Sequence, residues 1–200
     1  MERDSVAIDG VPLPLNPDLK TWLVYKPPGV VSTMSDPQNR PTVKDLVPAD
    51  PTTNPVGRLD LHSEGLMLMT NDGDLALRVA HPRYGIEKVY HALVKGTVPA
   101  KNLSMLTDGI DLEDGQAKAK AARIVDTSSG NTLVEITMTE GRKREIRRMF
   151  DFMGIEIVRL ARTAIAGITD RSLAHGEYRE VSIAEIRAIY ARAEKNLTDD

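Results

Sequence analysis

The sequence contains no cysteine. Disulfide frameworks, thiolate zinc sites, iron–sulfur clusters and cysteine nucleophiles are therefore all excluded. Aromatic residues make up only 4% of the 200 residues, and no apolar run approaches the ~20 residues of a membrane-spanning helix. The segment 1–10 has neither the basic nor the apolar region of a secretory signal. These absences predict a cytoplasmic protein whose chemistry depends on side chains other than thiols.

Positive charge is in the minority overall, but it is concentrated in one segment. The chain has 26 Lys and Arg against 29 Asp and Glu, a formal net charge of −3. Between residues 142 and 162, however, seven basic residues stand against three acidic ones. Such segregation indicates either one anion-binding face or simply a solvated helix surface. A protein that is basic throughout is excluded, but a local nucleic-acid contact is not.

Strand and helix patterns follow one another without regular alternation. The continuous apolar run 66–69 indicates a strand buried on both faces, and segments 88–95 and 132–138 are typical of half-buried strands. Apolar residues recur at helical spacing over 143–153. Further helices are predicted up to residue 80, with Asp74 as the N-cap, and over 181–193. This order favours an α+β fold over a doubly wound sheet.

Familiar metal and phosphate motifs are missing. The four histidines are scattered, and no two of them stand three or four residues apart. A metal site is therefore not expected. The glycine-rich phosphate loops and the nucleophile elbow of α/β hydrolases are also absent from the sequence.

Two segments carry the most unusual chemistry. The polar loop 57–65 is bracketed by glycines and leads into the buried strand, so Asp60 is a candidate nucleophile or base, or else a loop-capping residue. The basic segment 140–149 begins the amphipathic helix. An arginine at the edge of its buried face could hold a carboxylate in a bidentate pair, and others could contact phosphates at the helix N-terminus.

These segments belong to a longer series of short motifs. In order, they are KPPGV at 26–30, GRLD at 57–60, EGL at 64–66, TNDG at 70–73, KVY at 88–90, GRKREIRRM at 141–149 and VRLAR at 158–162. Their identity and order resemble the ribosomal small subunit pseudouridine synthase A family, which also includes several large-subunit rRNA enzymes. The resemblance covers roughly residues 21 to 180.

The resemblance implies a fold, a domain layout and an activity. The fold is a mixed, largely antiparallel central sheet with flanking helices and an active-site cleft across the sheet. Residues 21–200 would be the catalytic domain. Residues 1–20 would be a connector resembling the end of an S4 RNA-binding domain, with the full S4 domain absent. The activity is isomerisation of a specific uridine to pseudouridine in ribosomal RNA.

The resemblance also assigns roles to individual residues. Asp60 is the essential carboxylate, Tyr90 lies beside the target base, and Arg147 pairs with Asp60. Because the isomerisation is redox-neutral, no metal or organic cofactor is expected. The candidate substrate-binding residues are Arg58, Ile146, Leu160, Arg142, Lys143 and Arg144. Arg40 is a further candidate, because the polar loop 32–41 that contains it either clamps RNA or is simply a surface loop.

Several alternatives stay open at this point. The implied partner is ribosomal RNA or a pre-ribosomal particle, with no membrane and no obligatory protein partner, and a monomer is expected. One alternative is a non-catalytic RNA-binding or ribosome-assembly factor on the same fold. Another is an unrelated carboxylate hydrolase that uses Asp60 and Glu64. The modified uridine, the choice between 16S and 23S rRNA, and the chemical course at Asp60 are not specified by the sequence.

Overall fold

The computed structural model describes residues 7–8, 11–12 and 19–198. Its strands are β1 (Ala7–Ile8), β2 (Val11–Pro12), β3 (Thr21–Lys26), β4 (Asn54–Pro55), β5 (Glu64–Thr70), β6 (Lys88–Lys95), β7 (Ile110–Leu112), β8 (Gly115–Ala117), β9 (Ala121–Ser128), β10 (Asn131–Met138), β11 (Ile157–Ile165), β12 (Ile168–Thr169) and β13 (Tyr178–Glu180). Its helices are α1 (Gly73–Ala80), α2 (Ala100–Asp108), α3 (Glu145–Phe152) and α4 (Ile183–Thr198), with short 3-10 turns at Val43–Leu46 and Pro82–Tyr84.

A nine-stranded sheet forms the centre of the molecule. Its main strand order is β13-β3-β5-β11-β6-β10-β9, with β4 added on β5 and β12 on β11. In the described part of the chain, β5 and β11 run parallel and the other neighbouring strands of this sheet run antiparallel. The predicted α+β fold with a mixed, largely antiparallel sheet is confirmed.

The two faces of the sheet carry separate hydrophobic cores. One core includes Met67 and Tyr90 and is covered by α2 and α3. The other includes Leu66 and Leu68 and is covered by α1 and α4. All seven residues of β5 are buried, because this central strand contributes side chains to both cores. The continuous apolar run in the sequence predicted this placement.

Element boundaries differ from the predictions for local reasons. Asp72, rather than Asp74, caps α1, because its Oδ1 atom accepts from the backbone N–H groups of Asp74 and Leu75, each at 3.0 Å. The helix α3 is shorter than the predicted 143–153, since Arg144 adopts a left-handed conformation (φ 52°) immediately before it. The last helix begins at Ile183, because Glu185 accepts from Ser182 N at 2.8 Å, as in a capping box.

The N-terminal prediction falls only partly on described residues. A strand predicted near residues 6–8 is present as β1, which pairs antiparallel with β2. The rest of segment 1–18 lies outside the described residues, as do residues 199–200. In the described ranges, no helix is long and apolar enough to cross a membrane.

Candidate active site

Three distant segments of the chain meet at one cleft on the sheet face covered by α2 and α3. The open space at the cleft, including solvent at its mouth, is about 450 Å³. Asp60 borders it from the loop before β5, Tyr90 from β6 and Arg147 from α3. The predicted substrate-binding residues that also border it are Arg58, Ile146, Leu160, Arg142 and Arg144.

Asp60 lies on a loop whose backbone is fixed on both sides of it. The N–H of Ser63 donates to the Asp60 carbonyl at 3.0 Å, which closes a turn around the residue. The Leu61 carbonyl accepts from Gly29 N at 2.8 Å. A carboxylate on a loop held in this way keeps its position relative to a bound substrate, which is what orientation-dependent catalysis requires.

Arg147 connects α3 to the loop that carries Asp60. Its Nη2 donates to the His62 carbonyl at 3.1 Å and to Ser63 Oγ at 3.4 Å. The guanidinium therefore holds the loop, in place of the direct pair with Asp60 that the resemblance implies. Burial lowers the pKa of Arg147 and nearby Arg144 lowers it further, whereas the negative charge of Asp60 raises it. The two groups thus interact electrostatically although they form no direct ion pair.

A buried arginine donates a hydrogen bond to Tyr90. Arg162 is only 3% exposed, and its Nε donates to the Leu66 carbonyl at 2.6 Å. Its Nη1 lies 3.4 Å from the hydroxyl of Tyr90, which accepts the hydrogen bond. Arg162 is the last residue of the basic segment 142–162, but β11 directs its side chain into the molecule. This hydrogen bond orients the side chain of Tyr90, which borders the cleft.

The rest of the lining is largely apolar at one end. Ile146 of α3, Leu160 of β11 and Met138 of β10 are buried and border the cleft. They belong to the same hydrophobic core as Tyr90. Flat apolar and aromatic surfaces of this kind suit a planar heterocycle, with polar groups at the rim to fix its orientation.

Lys26 is a buried cation beside the cleft that sequence analysis missed. It ends β3 and is 0% exposed, and its Nζ donates to the Ser63 carbonyl at 2.7 Å and to the Pro27 carbonyl at 3.0 Å. Burial lowers its pKa to about 8, against the opposing charges of Asp60 and Glu64. The signal in the sequence was a lysine at the end of an apolar strand, where burial of the charge needs backbone acceptors.

The comparisons with known proteins agree with this arrangement. A family model described as RNA pseudouridylate synthase matches residues 20–152. The chain belongs to this family. Enzymes of the family are isomerases that convert uridine to pseudouridine in RNA, and the resemblance read from the motifs is confirmed.

The relatives match over most of their length. An uncharacterized RNA pseudouridine synthase of Aquifex aeolicus (strain VF5) is 41% identical over 94% of this chain and 76% of its own. The ribosomal large subunit pseudouridine synthase B of Bacillus subtilis (strain 168) is 38% identical over 86% of this chain and 72% of its own. A crystal structure of a pseudouridylate synthase superposes with a TM-score of 0.75 and 29% identity, over 89% of this chain and 76% of that one.

Glu64 does not border the cleft, so it is not a second carboxylate beside Asp60. It is buried and accepts hydrogen bonds from Tyr25 at 2.9 Å and from Arg159 Nε at 2.9 Å. These hydrogen bonds hold the Glu64 carboxylate outside the cleft lining to which Asp60 belongs. A hydrolase in which Asp60 and Glu64 act together is therefore unsupported. Within residues 7–8, 11–12 and 19–198, no group of three or more His, Asp or Glu is placed to hold a metal ion.

Arg142 is engaged by the protein itself. Its Nη2 donates to the Gln116 carbonyl at 2.7 Å and its Nη1 to the Gly115 carbonyl at 3.1 Å, while Nε contacts Glu145 at 3.0 Å. These bonds attach the β7–β8 hairpin to the start of α3. The guanidinium predicted to bind phosphate therefore has protein acceptors, and its position at the cleft is structural.

The remaining predicted cations are more accessible. Arg58, Lys143 and Arg144 are exposed, and Arg58 and Arg144 border the cleft. Arg40 lies in the polar loop, where its Nη2 pairs with Asp36 at 2.7 Å. The structure places it outside the lining described above. The free positive charge near the cleft is thus smaller than the count of seven basic residues suggests.

We expect Lys26 to set an alkaline limit on the activity. We expect the single-turnover rate to fall as the pH rises through about 8, because the ammonium that interacts electrostatically with Asp60 then loses its charge. The folded protein releases this proton at a lower pH than the unfolded chain, in which the pKa of lysine is 10.5. Charged Lys26 therefore destabilises the fold below pH 8, and this penalty fades between pH 8 and 10.5. The measurement is a rate profile from pH 6 to 10 for the wild type and Lys26→Met.

Lys88 provides the matched control. It is also buried, and burial likewise lowers its pKa to about 8, but the charge that acts on it is that of Arg162. Lys26→Met should be slower than the wild type, and its rate should no longer fall at alkaline pH. The rate of Lys88→Met should still fall there; this fall is the alkaline limb of the profile. A limb that survives in Lys26→Met, or that disappears in Lys88→Met, would contradict the assignment.

Proposed function

We propose that this protein isomerises a specific uridine to pseudouridine in ribosomal RNA, with Asp60 as the essential carboxylate. The observation that carries the proposal is the meeting of Asp60, Tyr90 and Arg147 around one cleft, although they come from three separate segments. The name of the Bacillus subtilis relative, a ribosomal large subunit pseudouridine synthase, supports ribosomal RNA as the substrate class.

The reaction needs one carboxylate and controlled proton movement. The bond from uracil N1 to the ribose breaks, the uracil turns, and a bond from C5 to the same ribose carbon forms. The C5 proton leaves and N1 gains a proton, so atoms balance without a co-reactant. Asp60 either attacks the anomeric carbon, adds to the uracil ring or assists formation of a glycal. Each route requires Asp60 to be ionised and aimed when the first bond breaks.

The neighbours of Asp60 supply charge and orientation. Arg147 holds the backbone of the loop through the His62 carbonyl, and its positive charge interacts with Asp60. Tyr90 offers its ring to the uracil and its hydroxyl to proton transfer at the sugar or at C5. Ile146 and Leu160 form the apolar walls against which the base turns.

The target uridine must leave its stack before it reaches Asp60. Unstacking costs a few kcal/mol, and phosphate contacts at the rim offset part of it. We assign these contacts to Arg58, Lys143 and Arg144, which are exposed near the cleft. Arg40 is a further candidate once RNA displaces its bond to Asp36.

A non-catalytic RNA-binding or ribosome-assembly factor on the same fold is the second candidate. Binding alone gains nothing from an anionic Asp60 facing an anionic ligand. A purely binding role also gives no reason for the hydrogen bonds that hold Tyr90 and the Asp60 loop. We therefore favour the enzyme, and the two differ in whether uridine is consumed.

The proposal extends to partners and organisation. Residues 21–200 form the catalytic unit, with 1–20 as a connector. The enzyme acts in the cytoplasm on ribosomal RNA or a pre-ribosomal particle, and as a monomer.

Pseudouridine mapping tests the substrate. The protein is incubated separately with unmodified 16S and 23S rRNA transcripts, pre-ribosomal particles and unmodified transfer RNA, and we expect one new pseudouridine in one of the two ribosomal RNAs. The sites are read by carbodiimide adducts and primer extension. Modification of transfer RNA alone would move the substrate to another RNA class, and no new site in any RNA would contradict the proposed activity.

Reversing the charges at the rim should weaken RNA binding. In Lys143→Glu/Arg144→Glu, the loss of phosphate contacts should flatten the slope of log K against log salt by roughly 1–2 units. Arg142 is left native because its guanidinium holds the β7–β8 hairpin. The measurement is filter binding of an rRNA fragment at several salt concentrations.

The matched variant reverses two exposed cations elsewhere. Lys101→Glu/Arg171→Glu makes the same change in net charge at residues that do not border the cleft. Its salt slope should stay close to that of the wild type. Equal slopes for the two double variants would remove Lys143 and Arg144 from the RNA interface.

A further inference from the structure

The segment Gly29–Ser32 holds the catalytic loop on both sides of Asp60. On one side, Gly29 N donates to the Leu61 carbonyl at 2.8 Å. On the other side, Ser32 Oγ donates to the Leu59 carbonyl at 2.8 Å and accepts from Leu59 N at 3.1 Å. Asp60 is the residue between these two anchored positions.

The contact made by Ser32 is unusual because one side chain satisfies both backbone groups of one residue. A backbone carbonyl and N–H in a loop otherwise need water or a neighbouring strand. The hydroxyl of Ser32 takes the place of such a strand at Leu59. It therefore limits rotation of the peptide groups that carry Asp60.

The rest of the segment is itself fixed. Val31 N donates to the Pro41 carbonyl at 2.9 Å, and Val43 N donates to the Val31 carbonyl at 2.9 Å. Val43 is fully buried in the core below the cleft. The anchor of the Asp60 loop is thus continuous with the hydrophobic core and does not depend on the exposed loop beyond it.

We infer that Ser32 is a positioning residue for Asp60, acting through its paired hydrogen bonds to the backbone of Leu59. This inference rests on the proposed function. Ser32 touches neither the substrate nor the reacting atoms; it sets where the carboxylate stands when the glycosidic bond breaks. A displacement of the order of 1 Å can cost a reaction about 100-fold in rate.

The test is the single-turnover rate at saturating enzyme for Ser32→Ala and Ser32→Thr. Ser32→Ala should lower the rate constant roughly 10-fold to 100-fold while the dissociation constant for the RNA stays within twofold of the wild type. Ser32→Thr keeps the hydroxyl and should restore most of the rate. A general loss of structure would instead move binding and melting temperature together, so both are recorded for each variant.

Ser104→Ala is the control substitution. Ser104 also donates its hydroxyl to a backbone carbonyl, that of Lys101 at 3.0 Å, but within α2 and outside the cleft lining. Its rate should match the wild type. With an active wild type, three results would overturn this inference without affecting the proposed function. They are a Ser32→Ala rate within twofold of the wild type, an equal loss of rate in Ser104→Ala, and no recovery of rate in Ser32→Thr. An inactive wild type would overturn the proposed function.

Discussion

Asp60→Asn should abolish pseudouridine formation, with a rate loss of about 10³-fold or more, while binding of the RNA stays nearly intact. The amide is almost isosteric with the carboxylate, so the loop should keep the contacts that fix Leu61 and Ser63. It has no negative charge with which to attack or stabilise the reacting nucleoside. The rate is measured by adduct mapping at the modified site, and affinity by filter binding.

A second Asp-to-Asn variant separates this effect from a change in net charge. Asp111 is exposed on β7 and does not border the cleft. Asp111→Asn should keep the wild-type rate. If Asp60→Asn retained turnover within tenfold of the wild type, Asp60 would not be the essential carboxylate.

Gly65→Ala should cause a large loss of stability. Gly65 lies between the Asp60 loop and the rest of β5 with φ +111°, and a Cβ there would stand 2.2 Å from the carbonyl oxygen of Arg162 and 2.5 Å from its nitrogen. Both atoms are backbone of the parallel neighbour β11, so no side chain can move aside. We expect at least about 4 kcal/mol of lost unfolding free energy and a melting temperature lower by roughly 10 °C or more.

Gly96 distinguishes crowding from backbone conformation. It also has a positive φ, +77°, but a Cβ there meets nothing within 4 Å. Gly96→Ala should therefore cost only the strain of a left-handed alanine, about 1–2 kcal/mol. Thermal and urea unfolding of the two variants are compared. A Gly65→Ala protein within 1 kcal/mol of Gly96→Ala would contradict the close approach of β5 and β11.

Local patterns in the sequence predicted the elements that pack in the usual way. The apolar run at 66–69 gave the central strand because both of its faces are buried. The helical spacing of Ile146, Met149 and Phe150 predicted the buried face of α3. The strand β9 (Ala121–Ser128) was missed because it is an edge strand whose side chains are nearly all exposed, so burial imposes no alternation on its sequence.

The site was less predictable, since long-range contacts decide the role of each charge. In the sequence, Arg142 and Arg162 are equivalent positive charges. In the structure, Arg142 holds a hairpin 26 residues away, whereas Arg162 is buried and donates to the hydroxyl of Tyr90. Lys26 and Ser32 were missed because their partners in the Asp60 loop are backbone atoms, which leave no trace in composition. The grouping of Asp60, Tyr90 and Arg147 came from the family motifs and not from spacing alone.

Tritium release tests the central claim most directly. RNA transcribed with uridine labelled at C5 loses tritium to water when that carbon forms its new bond to ribose. With the rRNA identified by mapping, the wild type should release one equivalent of tritium per RNA and Asp60→Asn none above background. No release by the wild type, or equal release by both proteins, would contradict a cleft in which Asp60 drives the isomerisation.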